Sequence, residues 1–155
     1  TVVLRKVDAQ SRMIFVHADV RSPKIKSIDG NQNVSWLFYD AMRQVQLQLM
    51  GLATVHTDDD IAEQVWQDET EFSLRGYMAP YVPGSVRLSP ESNLPDEIRH
   101  SVPDRVQLSA ARANFAVISC SIDTADWLLL RPEGNLRARF IYEGSSVSHA
   151  DWLAP

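Results

Sequence analysis

Apolar and polar positions alternate along most of this chain, and the alternation predicts its strands. Val45, Leu47 and Leu49 alternate with Gln44, Gln46 and Gln48, so Arg43 to His56 is predicted as one long strand with an apolar face and an amide face. Gly51 inside it predicts a bulge or a close backbone approach. Thr1 to Val7 and Met13 to His17 are β-rich runs on either side of a hairpin at Asp8 to Arg12. Further strands are predicted over Val34 to Tyr39, Asn114 to Ile122, Trp127 to Leu130, Arg137 to Tyr142 and Asp151 to Leu153. A tight turn at Asp40-Ala41-Met42 joins the third strand to the long one.

Helices fall between these runs. Ser22-Pro23 offers an N-cap followed by Pro at the first helical position, opening a short helix through Ile28 that Asp29-Gly30-Asn31 stops. Thr57 to Asp60 caps a second helix with acidic residues in its first turn and Ile61, Ala62, Val65 and Trp66 on its inner stripe. Thr70 to Tyr77 and Val106 to Ala113 read as shorter helices. Residues 79 to 104 hold most of the prolines and several serines, and loops of that length usually cover a site or move. Strands in meanders with short helices inserted predict an antiparallel barrel with peripheral helices, not a parallel sheet.

Composition narrows the class. The chain has 155 residues, 45% hydrophobic and 23% charged, which suits a single domain over 1–155 with a real core. A net charge of -5 argues against a general nucleic-acid binder. Cys120 is the lone cysteine and sits in an apolar run, so it reads as a buried inert thiol. No apolar stretch has the length of a membrane span and no signal-peptide pattern is present, so a cytoplasmic protein without a membrane segment is expected. Thr1 already reads as strand, so residues before it are expected in the whole protein.

Candidate chemistry is concentrated at a few cations. Lys24 in the first turn of the Ser22-Pro23 helix opposes the helix dipole, which makes better sense if an anion sits there. Arg5 and Arg21 are candidates to join the same anion, and ordinary surface cations are the alternative. Arg137 and Arg139 share one strand face and would repel unless they meet water or a common anionic partner. The four histidines show no metal-ligand spacing, and no hydrolase elbow, Walker loop or GxGxxG is present. Asp58-Asp59-Asp60 reads as a helix-capping run, not a metal cluster.

Taken in order, Thr-Val-Val-Leu-Arg at 1–5, Ile-Phe-Val-His at 14–17, Ser-Pro-Lys at 22–24 and Asn-Val-Ser-Trp-Leu-Phe at 33–38 resemble a known family. Gln46 through Gly51, Arg139-Phe-Ile-Tyr and the final Trp152-Leu-Ala-Pro extend the resemblance over almost the whole chain. It is to the pyridoxamine 5′-phosphate oxidase family of FMN-binding split barrels. The resemblance implies a mainly β split barrel of six or seven antiparallel strands, with FMN lying across a homodimer interface. Lys24 and Ser22 would hold the FMN phosphate. Thr1, Val2, Val3 and Leu4 would run beside the flavin with Arg5 next to them, Val16 and His17 would flank it, Gln46 would meet it, and Arg139 would reach it from late in the chain.

Departures from the family pattern concern the substrate. Pro23 stands where the family has a basic residue, Arg5 where a Lys is usual, and Leu129 where a Trp near the flavin is usual. The Arg-x-His pair that reads the vitamin B6 phosphate is replaced by Asn135 and Arg137, the candidate substrate residues here. Arg75, Tyr77, Pro83-Gly84 and Asn114-Phe115 resemble a divergent oxidase-like branch. The resemblance therefore implies an FMN-dependent oxidoreductase acting on a small substrate other than that phosphate. The alternative is a non-catalytic FMN- or haem-linked binding protein of the same fold.

Overall fold

The computed structural model describes residues 2–155, so Thr1, expected beside the cofactor, lies outside the described residues. Seven strands run in the order β1 (Leu4–Asp8), β2 (Met13–Asp19), β3 (Asn33–Asp40), β4 (Val45–His56), β5 (Phe115–Leu129), β6 (Leu136–Glu143) and β7 (Ser146–Leu153). Helix α1 (Pro23–Gly30) lies between β2 and β3. Between β4 and β5 come α2 (Asp60–Asp68), α3 (Glu71–Leu74) and α4 (Arg105–Leu108), with 3₁₀ turns after α3 and α4. Among the described residues, no helix is long and apolar enough to cross a membrane.

Every strand pair is antiparallel, in the order β1-β2-β5-β4-β3, with β6 added to β5 and β7 to β6. The 15-residue β5 is the axis of the fold. Its first half, Phe115 to Ser121, pairs with β2; its second half, Thr124 to Leu129, pairs with β6. β4 follows it along the other edge throughout. One long strand that exchanges neighbours midway is what splits the barrel. Arg12, in the β1–β2 turn, donates to the Gly144 carbonyl and lies over the Tyr142 ring, tying that turn to the β6–β7 hairpin.

The period of two sorts each strand onto two packed faces. Val16, Ala18, Ala53, Ala116 and Ile118 form one core, roofed by Ile25 and Ile28 of α1, with Trp36 packed against it. Phe115 and Val117 point the other way and meet Trp66, Leu74 and Leu108 from the helices after β4. Phe115, Leu74 and Leu108 are fully buried, each contributing about 1.5–3 kcal/mol relative to exposure.

The chain differs from its sequence pattern at three places. The two strands expected over Asn114 to Ile122 and Trp127 to Leu130 are one strand. The polar run between them is a bulge in which Asp123 is the extra residue, Ile122 pairing with Gly51 and Thr124 with Met50. Gln44 is not part of the amide face, because it closes the β3–β4 turn at φ 54° and β4 starts at Val45. The last strand begins at Ser146, earlier than Asp151. The expected bulge or close approach at Gly51 is present on both counts.

At the start of α2, Asp59 is the N-cap, its Oδ1 accepting the Ala62 amide at 3.0 Å. Its Oδ2 lies 2.6 Å from His56 Nδ1, and His56 Nε2 lies 2.8 Å from Ser119 Oγ. The chain of bonds pins the end of β4 and the beginning of α2 to β5.

Candidate functional site

A cavity of about 430 Å³ opens where β1, α1 and β3 meet, lined by Val2, Leu4, Val16, Lys24, Ser35 and Trp36 among others. Among the described residues β1 pairs only with β2, so its other edge carries unpaired backbone groups. Ser22 is 2% exposed and precedes α1, yet its hydroxyl caps no helix amide. It accepts instead from Lys24 Nζ at 3.2 Å. No acidic residue occupies the first turn of α1. Ammonium, hydroxyl and the positive end of the helix thus converge with no ion pair to Lys24 among the described residues, a donor set suited to a phosphate.

The amide face continues from this cavity. Ser35 and Leu37 line it, and Ser35 Oγ accepts from Gln48 Nε2 at 2.8 Å. Gln46 is half-buried and makes no side-chain hydrogen bond among the described residues. Across β5 and β6 the same face carries Asp126, Arg137 and Arg139, since Gln48 pairs with Asp126 and Asp126 with Arg139. The common anionic partner that the two arginines need is therefore internal. Asp126, 6% exposed, accepts from both, and Arg137 first and Arg139 second hold its carboxyl below the usual range. Asn135 stands apart from them in the β5–β6 turn, where its Oδ1 accepts the Arg131 amide. Val3, just before β1, is 65% exposed.

Arg5 and His17 are not brought to the Lys24 cavity. Side chains alternate along β1 and β2, so these two line a different cavity of about 840 Å³ against α2, with Phe15, Gln64 and Glu69. Glu69 Oε2 lies 3.3 Å from His17 Nδ1 and 4.0 Å from Arg5. Arg21 is also taken, its guanidinium bonding Asp19 and the Ala79 carbonyl. Of the cations expected to share one anion, only Lys24 faces the cavity. Glu69 and Asp126, which decide where the arginines point, carry no motif of their own, and only cross-strand register reveals them.

Burial pushes the His17 imidazole below 6.5, and Arg5 adds to the effect against the opposing pull of Glu69. The unfolded chain then takes up a proton at higher pH than the folded one. Stability from this group is complete above about pH 6.5 and is lost as pH falls through the depressed folded value. The urea midpoint of the protein is expected to drop between pH 7 and pH 5.5, and the drop should shrink in His17→Asn. An identical pH response in that variant would assign the drop to other groups.

Ser119, His56 and Asp59 have the spacing of a nucleophile, base and orienting carboxylate. Ser119 is 4% exposed and lines neither cavity, so the arrangement serves the anchoring of α2.

Residues 1–57 match a family described as pyridoxamine 5′-phosphate oxidase, FMN-binding domain. No curated protein matches the sequence. Among solved structures, the fold is similar to a pyridoxamine 5′-phosphate oxidase-related, FMN binding protein from Nostoc punctiforme, with TM-score 0.69 and 19% identity over 99% of this chain and 79% of that one. It is also similar to PhzG from Burkholderia lata 383, solved with tetrahydrophenazine-1-carboxylic acid, with TM-score 0.67 and 14% identity over 99% and 73%. A third neighbour is a general stress protein 26-related protein of the pyridoxinephosphate oxidase family from Clostridium acetobutylicum, with TM-score 0.53 and 12% identity over 88% and 71%. The architecture of seven antiparallel strands is that of these split barrels. Residues 1–57 thus match the FMN-binding domain of that family, and the chain as a whole shares the fold of these three structures.

Proposed function

We propose that the protein is a cytoplasmic FMN-binding oxidoreductase, a homodimer with the cofactor at its interface, that acts on a small substrate. The observation that carries this reading is the Ser22–Lys24 pair at an α1 terminus that no side chain caps, opening on the cavity beside Val2 and Leu4. Lys24 Nζ and Ser22 Oγ would hold the phosphate, the outer edge of β1 would meet the ring system with backbone groups, and Gln46 would offer it a free amide. FMN, once bound, would supply two-electron redox chemistry, while the protein fixes its place and surroundings. Arg139 would meet the cofactor, and the outer edge of Arg137 would take an anionic group of the substrate. Val3 would contribute its backbone.

A second reading, a non-catalytic FMN- or haem-linked binder of the same fold, draws support from the Asp126 carboxylate, which already takes one edge of each arginine. Purified protein titrated with FMN should quench flavin fluorescence at one FMN per chain and run as a dimer in light scattering. Absence of quenching would overturn the flavin reading. Reoxidation kinetics after reduction by pyridoxamine phosphate or by NAD(P)H would then separate an oxidase, a reductase and an inert binder.

A further inference from the structure

Asp126 is a buried carboxylate that the proposed chemistry leaves without a task. Its Oδ1 accepts Arg137 Nε at 2.9 Å and its Oδ2 accepts Arg137 Nη2 at 2.9 Å. The same Oδ2 accepts Arg139 Nε at 3.3 Å and Nη2 at 3.1 Å. Each guanidinium thus spends one edge on Asp126 and keeps Nη1 for another partner. The Asp126 side chain is 7% exposed, whereas those of Arg137 and Arg139 are 34% and 40% exposed, so the arginines lean outward from a buried anchor. Without that anchor, two like charges two residues apart on one strand face would splay into solvent. With it, the cluster carries one net positive charge in a fixed arrangement beside Gln46 and Gln48.

We infer that Asp126 is a positioning residue, which aims Arg139, and with it Arg137, at the ligand face of the sheet. The inference rests on the reading that Arg139 meets FMN. The alternative, a staple between β5 and β6, has less to do, because the backbone ladder already joins these strands from Thr124 to Leu129.

A mutant cycle separates the two. FMN dissociation constants are measured by fluorescence quenching for the wild type, Asp126→Asn, Arg139→Ala and the double variant, with thermal unfolding of each apoprotein alongside. Asp126→Asn is expected to weaken FMN about tenfold, and the double variant to bind no worse than Arg139→Ala alone. An unchanged constant in Asp126→Asn, losses that multiply in the double variant, or wild-type affinity in Arg139→Ala each overturns the inference. If Asp126→Asn does not fold, Asp126→Glu keeps the charge but displaces it by a methylene, and should weaken FMN and shift its visible spectrum. Unaltered binding and spectrum in that variant count against positioning. A wild type that binds no FMN defeats the flavin reading itself and takes the inference with it.

Discussion

Gly51→Ala is expected to destabilise the protein by about 3 kcal/mol, lowering its melting temperature by roughly 6–12 °C. Two opposing effects meet at this position. Ala restricts the unfolded chain, which by itself would stabilise the protein by about 0.4–1 kcal/mol. The folded state, however, has no room: a Cβ at Gly51 would stand 1.9 Å from the Ser121 carbonyl oxygen and 2.8 Å from its carbon. Those atoms belong to the backbone of the central strand, so no side-chain rotation relieves the contact. Relief requires moving β4 away from β5 at the bulge where their register shifts. That movement disturbs the packing of Leu49 against Ile14, Cys120 and Ile122. A calorimetric scan of the variant checks the expectation, and a melting temperature equal to the wild type would mean that the bulge is pliable. Gly30 is the control: a methyl group added there would meet nothing within 4 Å, so its Ala variant should be close to neutral.

Lys24→Ala is expected to weaken FMN by roughly 30- to 150-fold, corresponding to about 2–3 kcal/mol. The magnitude follows from removing one charge-assisted bond to a phosphate in a partly desolvated cavity. The substitution also strips Ser22 Oγ of its donor, leaving a buried hydroxyl to find another partner. Arg5 and Arg21 cannot compensate, since Glu69 and Asp19 engage them elsewhere. Two controls make the result specific. Lys26→Ala, exposed on the same helix, should leave FMN affinity unchanged. Riboflavin, which has no phosphate, should bind wild type and Lys24→Ala alike. Wild-type FMN affinity in Lys24→Ala would remove the lysine from the site.

Much of the fold is legible because its rules are local. Alternation in Val45 to His56 marks a strand, Ser22-Pro23 opens a helix, and the aspartate run before Ile61 caps another through Asp59. Gly51 announces a close approach without naming Ser121 as the neighbour. The break expected within β5 fails for a related reason. Asp123 to Asp126 looks like a polar loop, yet Asp126 finds two arginines across the sheet and Asp123 is absorbed by the bulge.

The candidate site divides along the same line. Lys24 and Ser22 lie two residues apart at one helix terminus, so their partnership is written in consecutive residues. The arginines are different. Composition and spacing make Arg5, Arg21, Arg137 and Arg139 candidates for anions as much as for solvent, and do not say which anions they meet. The order of residues is enough to define the alternating faces, the helix starts and the glycine at the bulge, because those depend on neighbours within a few positions. It took the folded sheet to hold the late arginines on Asp126, to draw Arg5 and His17 away from Lys24 onto Glu69, and to let β5 exchange β2 for β6. Those outcomes depend on the register of strands far apart in the chain, and a one-residue slip would turn each side chain to the opposite face.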